Sequence, residues 1–314
     1  MTKTSIIMDV DTGVDDAFAV LFAAMHPDIN LLGITCVDGN TNVDQVVANT
    51  FKVLDAAGAG DIPVARGAVR PLLGKSQYAE YVHGKDGMCD LGIAPSRRTV
   101  DPRSAVELLR DLIESAADPV TIVPIAPLTN IALFLRAFPE TAKKIHRIVL
   151  MGGSAAAGNA TAAAEFNVWH DPEAAAIVFQ SGVPISMYGL DVFMRPTIGR
   201  EDATRMSNSD QPASQFAGLL ALGFMEQVRT DPISLGDYGA VALVIQPELF
   251  TTEMFDVVVD TSAGPARGQT IVDRRDAWLK QLEPLDLEDS AKVRVALDLD
   301  VAAVVKLWLK TVNS

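Results

Sequence analysis

Four aspartates, Asp9, Asp11, Asp15 and Asp16, stand within eight residues near the start of the chain. Carboxylates at that density repel one another and call for a compensating cation. An all-oxygen set with no Cys or His beside it selects a hard ion, Ca²⁺ or Mg²⁺. Helix capping accounts for one of them, Asp15 or Asp16, but not for four. A second polar set, Gly158-Asn159-Ala160-Thr161 followed by Glu165-Phe166-Asn167, comes after Met151-Gly152-Gly153. Glycines let the backbone approach a ligand closely, and paired Asn and Glu groups suit vicinal hydroxyls, so this set reads as a sugar contact; a plain solvated loop is the other reading.

These residues need a frame. Short apolar runs, Ser5 to Met8, Leu31 to Cys36, Val120 to Ile125, Ile148 to Met151 and Ile185 to Met187, read as strands buried on both faces. Between them Asp15 to Met25, Val43 to Ala57, Arg103 to Ala116, Leu128 to Ala137 and Pro172 to Gln180 have the spacing of crossover helices. The rhythm predicts an α/β fold: an open, mostly parallel twisted sheet flanked by helices. Further C-terminal strands are expected at Phe255 to Val259 and Thr270 to Val272, and a last helix from Asp300 to Val312. With no Pro-rich or Gly/Ser linker, residues 1–314 are expected to form one domain. Two long excursions, Gly74 to Pro95 and Asp191 to Asp231, have the character of binding loops or lids. In such a sheet ligands bind beyond the carboxyl ends of the strands, where the first aspartates fall.

Composition narrows the partners. The 314 residues are 49% hydrophobic and 21% charged, enough to bury a large core without disulfides. A net charge of −14 opposes nucleic-acid binding, which needs a basic stripe. Of two cysteines, Cys36 lies in a strand-like run, so no disulfide framework is expected. No apolar run approaches a membrane span and no leader precedes the acidic cluster, which points to a cytoplasmic protein with a small-molecule partner and no membrane partner.

Asp-x-Asp at a strand end resembles the haloacid-dehalogenase-like phosphatases. They carry Thr or Val two positions after the second Asp, where this chain has Gly13, and they lack the pair Asp15-Asp16. A metal-dependent phosphatase stays as a minor alternative. The wider pattern resembles another family. Asp9-Val10-Asp11-Thr12-Gly13-Val14-Asp15-Asp16, Asp38-Gly39-Asn40, His83-Gly84-Lys85-Asp86-Gly87, Ala126-Pro127-Leu128-Thr129-Asn130, Val149-Leu150-Met151-Gly152-Gly153, Glu165-Phe166-Asn167, Asp171-Pro172-Glu173-Ala174 and Asp237 before Ala240-Val241-Ala242 are similar, in order, to the inosine-uridine preferring nucleoside hydrolases. The match continues through Pro247-Glu248-Leu249-Phe250 and, more weakly, Arg267-Gly268-Gln269-Thr270-Ile271-Val272-Asp273, nearly the whole chain.

The resemblance implies a Ca²⁺-dependent N-ribohydrolase that attacks C1′ of a ribonucleoside with a metal-activated water. It implies metal ligands Asp11, Asp16, Asp237 and the backbone carbonyl of Ile125; ribose contacts Asp15, Asn159, Glu165 and Asn167; and Asn40 beside the sugar. His83, Met151 and Phe166 complete the substrate set. Asp11, as base, with Asn40 and His83 forms the catalytic set, and Asp9 supports the site. Homodimers or homotetramers are the expected assembly. The chemistry is coherent: a divalent ion acidifies water, and carboxylates favour an oxocarbenium-like sugar.

One position departs from the pattern. Where many members carry a His before the last metal-binding Asp, to protonate the leaving base, this chain has Gly236. A general acid is typically worth about 10²- to 10⁴-fold in rate. His83, Tyr238 and water are the replacement candidates, His83 having an ordinary pKa near 6.5; a structural or base-contacting role for His83 and a packing role for Tyr238 are the competing readings. The expectation is ribosyl hydrolysis with an altered leaving-group preference, or, as a different class, a nucleoside- or ribose-binding protein. The helix carrying Phe224, Gln227 and Arg229 is expected to line the base site. Trp169 and Trp278 are unassigned between packing and base contact, Trp308 reads as core of the last helix, and Glu283, Asp286, Glu288 and Asp289 read as a solvated segment.

Overall fold

The computed structural model describes residues 3–276, 278–279 and 289–314. Eleven strands are present among them: β1 Thr4–Val10, β2 Ile29–Cys36, β3 Val64–Arg66, β4 Val120–Pro124, β5 Ile145–Met151, β6 Ile185–Tyr188, β7 Thr197–Ile198, β8 Ile233–Ser234, β9 Phe250–Val259, β10 Thr270–Val272 and β11 Ala291–Leu299. Nine form one sheet in the order β10-β9-β11-β6-β5-β4-β1-β2-β3. From β11 to β3 all neighbours are parallel, whereas β9 runs antiparallel to β11 and β10 antiparallel to β9. The expected open, mostly parallel sheet with added C-terminal strands is what the chain forms.

Its central strands are apolar on both sides because helices cover both faces. Ile6, Met8 and Val10 of β1 join one core with the helices Val14–Met25, Val43–Ala56, Pro212–Val228, Tyr238–Ile245 and Val301–Val312. Ile7, one residue out of phase, joins the other, with Ala105–Ser115, Thr129–Ala137 and Pro172–Phe179. That alternation also sends Asp9 to the Ile7 side, away from Met8 and Val10.

Four strands escape the sequence pattern. β7 and β8 have two residues each and β3 has three, while β11 alternates, with Lys292 and Arg294 exposed and Val293 and Val295 buried. A search for continuous apolar runs passes over all four. The predicted Phe255 to Val259 run extends back to Phe250, through exposed Thr251, Glu253 and Met254. Of the two long excursions, the first contains a short helix, Glu80–His83, and the second holds helices Leu190–Phe193, Arg200–Ser207 and Pro212–Val228. Glu283, Asp286 and Glu288 lie outside the described residues; Asp289 is exposed.

The strand order reverses between β1 and β4: the chain runs outward from β1 to β3, then returns on the other side of β1. That switch point opens a crevice at the carboxyl ends of the strands. Asp11 follows β1 and Ile125 follows β4, so its two rims carry a carboxylate and a backbone carbonyl.

Candidate active site

The turn after β1 is tied by its own acid. Asp16, in the first turn of Val14–Met25, accepts hydrogen bonds from the Gly13 amide at 3.0 Å and the Asp11 amide at 3.1 Å. Asn40, delivered by the turn after β2, donates its amide N–H to Asp11 Oδ2 at 2.7 Å and its side-chain Nδ2 to Asp16 Oδ2 at 3.2 Å. A Cβ at position 39 would overlap the Asp11 carboxylate, so the close approach requires Gly39. Asp237, immediately before the helix Tyr238–Ile245, closes the group: carboxylate oxygens of Asp15, Asp16 and Asp237 lie within 4.8 Å of one another.

Among the described residues no Lys or Arg lines this group, and its carboxyls are buried or half-buried. Burial first, and then the neighbouring carboxylates, push Asp237 and Asp11 well above the usual carboxylate range and Asp16 to about 7. Asp11 Oδ1 is buried with no hydrogen-bond partner among the described residues. An orphaned carboxylate oxygen beside three clustered acids is a donor set that fits a hard divalent cation. Asp15 therefore stands inside the acidic group as well as at the sugar position assigned to it by resemblance. Asp9 is held apart, accepting from Asn130 Nδ2 at 2.8 Å and from the Thr35 hydroxyl, and burial raises it to about 7.

The sugar-type residues gather on the opposite rim. Glu165 caps the helix Phe166–His170, accepting from the amides of Gly153, Asn167 and Val168 at 2.8, 2.9 and 3.1 Å. Burial outweighs those three donors and raises its carboxyl to about 7. Asn167 Nδ2 donates to the carbonyls of Ile125 at 3.1 Å and Met151 at 3.2 Å, and Asn159 Oδ1 accepts from the Phe166 amide at 2.9 Å. One cleft of about 390 Å³ is lined by Asp11, Asp15, Asn40, His83, Ile125, Met151, Asn159, Glu165, Phe166, Asn167 and Asp237, with Asp16 buried beneath it. Residues spread over most of the chain thus meet in one place.

The base end brings corrections. Tyr238 is no acid: its ring is buried against Phe22, 4.7 Å away, and its hydroxyl donates to the Val304 carbonyl at 2.9 Å. Of the helix expected to line the base site, Phe224 and Val228 do so, whereas Arg229 ends the helix in a left-handed conformation with φ of 52° and is not part of the lining. Trp278 is exposed and Trp308 fully buried. His83 is buried, accepts the Val14 amide at Nδ1 (3.4 Å), and stacks parallel on Phe224 with ring centres 5.7 Å apart. Its Nε2 is 3.9 Å from Asp15, and burial, partly opposed by that carboxylate, lowers its pKa. Gly236 has φ of 54°, and a Cβ there would lie 2.7 Å from Asp15 Cβ and 2.9 Å from the Phe193 ring. The position has no room for a side chain. Phe193, Met194, Ile233 and Ser234 also line the cleft; nothing in their local sequence marks them, since loop topology alone brings them there.

Acids gather at the switch point of a parallel sheet opposite a short helix capped by Glu165, and the comparisons with known proteins give the class, an enzyme that hydrolyses the N-glycosidic bond of ribonucleosides. The model of the inosine-uridine preferring nucleoside hydrolase family matches residues 6–306, and the chain belongs to that family. It is 42% identical over 275 residues to a pyrimidine-specific ribonucleoside hydrolase of Shewanella baltica, covering 86% of each chain. It is 39% identical over 299 residues to a non-specific ribonucleoside hydrolase of Salmonella paratyphi B, covering 94% of each. Among solved structures, a plant nucleoside hydrolase superposes with a TM-score of 0.90 at 29% identity, over 99% of both chains. A purine-preferring ribonucleoside hydrolase from Gardnerella vaginalis gives 0.88 at 31%, over 99% of this chain and 98% of that one.

Proposed function

We propose that the chain is a Ca²⁺-dependent N-ribohydrolase, with the ion held by Asp11, Asp16, Asp237 and the Ile125 carbonyl. The observation that carries the reading is the buried acid group with no Lys or Arg in its cleft among the described residues, together with the unpartnered Asp11 Oδ1. The all-oxygen donors favour Ca²⁺ or Mg²⁺ over softer metals, and a carbonyl ligand with several carboxylates suits the larger ion. When bound, such an ion supplies Lewis acidity that makes water easier to deprotonate.

The chain's own groups do the rest. Asn40 fixes Asp11 through Oδ2, leaving Oδ1 to accept a proton from the attacking water. Asp15, Asn159, Glu165 and Asn167 orient the ribose, with Glu165 and Asn167 locked by backbone bonds before substrate arrives. As the base departs, positive charge on the sugar ring is met by the carboxylates. Met151, Phe166 and His83 bound the substrate. The proposal includes a cytoplasmic, homodimeric or homotetrameric protein, on the strength of the resemblance.

Inosine, uridine, cytidine and 4-nitrophenyl riboside, assayed with and without a chelator, test the reading. Cleavage that stops on chelation and returns with Ca²⁺ is expected. Full activity in chelator sinks the metal mechanism, and intact nucleoside retained in Ca²⁺-loaded protein makes it a nucleoside-binding protein instead.

A further inference from the structure

Among the described residues that line the cleft, no carboxylic acid or imidazolium is placed to hand a proton to a leaving base, and Thr230 offers only a weakly acidic hydroxyl. Tyr238 is committed to the Val304 carbonyl. The Ser234 hydroxyl donates to the Phe193 carbonyl at 2.6 Å and accepts the Gly236 amide at 2.9 Å. His83 takes the Val14 amide at Nδ1, a long contact of 3.4 Å that favours the neutral ring with its proton on Nε2, and a neutral imidazole is a weak acid. Position 236 is closed by Asp15 and Phe193. Tyr81 stands at the rim, largely in solvent. The cleft lining also holds the Asp15 carboxylate and the rings of Phe166, Phe193 and Phe224, with the Thr230 hydroxyl and aliphatic side chains beside them.

A neutral base leaving C1′ must gain a proton or depart as an anion, here into a cleft of acids. A base that already carries a positive charge needs neither. We infer that the cleft favours ribosides of cationic bases, the N-ribosylpyridinium and N7-alkylpurine types, over those of neutral bases. The C1′–N bond breaks with its electron pair passing to the base, which becomes neutral. A C1′–O bond forms from water, and the water's proton goes to Asp11 and then to solvent. Before the bond breaks, aromatic faces and Asp15 attract the cation. The inference rests on the N-ribohydrolase reading and concerns only which base leaves.

The test pairs substrates that differ in charge: 7-methylguanosine with guanosine, and N-ribosylnicotinamide with uridine, each with the Ca²⁺-loaded full chain. The cationic member of each pair is expected to have kcat/KM at least about 10²-fold higher, the lower bound of what an absent general acid withholds from the neutral one. Ratios near one overturn the inference, because they require a proton to reach the neutral base. Cleavage of guanosine and uridine without cleavage of the cationic partners overturns it and leaves the hydrolase reading standing. Failure to cleave any of the four overturns the hydrolase reading itself. A second measurement isolates recognition from reactivity: 1-methylnicotinamide is expected to inhibit competitively at least about tenfold more tightly than nicotinamide, and equal inhibition overturns the inference.

Discussion

Asp11 holds its two oxygens differently, Oδ2 bound to the Asn40 amide and Oδ1 without a partner among the described residues, which suits the ligand and base roles proposed for it. Asp11→Asn keeps the size and the accepted bond but removes the base. It is expected to lower kcat by about 10²- to 10⁴-fold with a much smaller change in KM, as steady-state kinetics at saturating Ca²⁺ would read; a raised KM with kcat unchanged would mean Asp11 only binds. Glu165 lends itself to a pH measurement. Its carboxyl titrates near 4.5 in an unfolded chain and near 7 when buried, so the folded state holds the proton more tightly. Stability from this group is complete at low pH and is lost as pH rises from about 4.5 through about 7. Metal-free wild type should therefore lose stability relative to Glu165→Gln between pH 5 and 7.5 in urea unfolding. Parallel pH curves would contradict the assignment. The acids were readable in sequence because their density demands a cation. Gly236 was readable only as a gap: neither its left-handed backbone nor the Phe193 ring against it leaves a trace in neighbouring residues. Gly236→Ala is accordingly expected to cost about 1–2 kcal/mol from backbone conformation alone, more if Phe193 is displaced, measured by the same unfolding assay.

The helix Val14–Met25 shows what a single element contributes. Its N-terminus carries Asp15 and Asp16, and its middle is seated by Trp308, whose ring meets Phe18 edge-on at 5.3 Å and whose Nε1 donates to the Phe18 carbonyl at 3.1 Å. Trp308→Ala is expected to destabilise by about 3–5 kcal/mol, the usual range for a large buried aromatic, and to weaken Ca²⁺ activation because the acids ride on the same helix. A destabilised variant with unchanged Ca²⁺ half-activation would separate the two. Most parallel strands and crossover helices were legible because each is a continuous apolar run or a clear helical repeat. β3 was too short to register, β11 has Lys292 and Arg294 facing solvent and breaking the run, and the short helices Leu190–Phe193 and Phe166–His170 are too brief to show a period.

Across the whole molecule, the net charge of −14 and the clustered acids would make an ion bound at the proposed site a large part of folded-state stability. At a free Ca²⁺ concentration 100-fold above its dissociation constant, linkage gives about 2.7 kcal/mol. Calorimetry should show the melting temperature rising with Ca²⁺ and falling in chelator, and no shift would argue against a bound ion. We propose that residues 1–314 unfold as one unit, because β11 lies between β6 and β9 and the last helix packs on the first. Two separable transitions in the same scans would show otherwise.

The bond from Trp308 to Phe18 joins residues 290 positions apart. On a ribosome, the segment that carries Asp15 and Asp16 emerges well before the indole that seats it. These two acids of the cleft are made long before the ring that locks their helix in place. Until then the growing chain carries the site's charges without the packing that orders them.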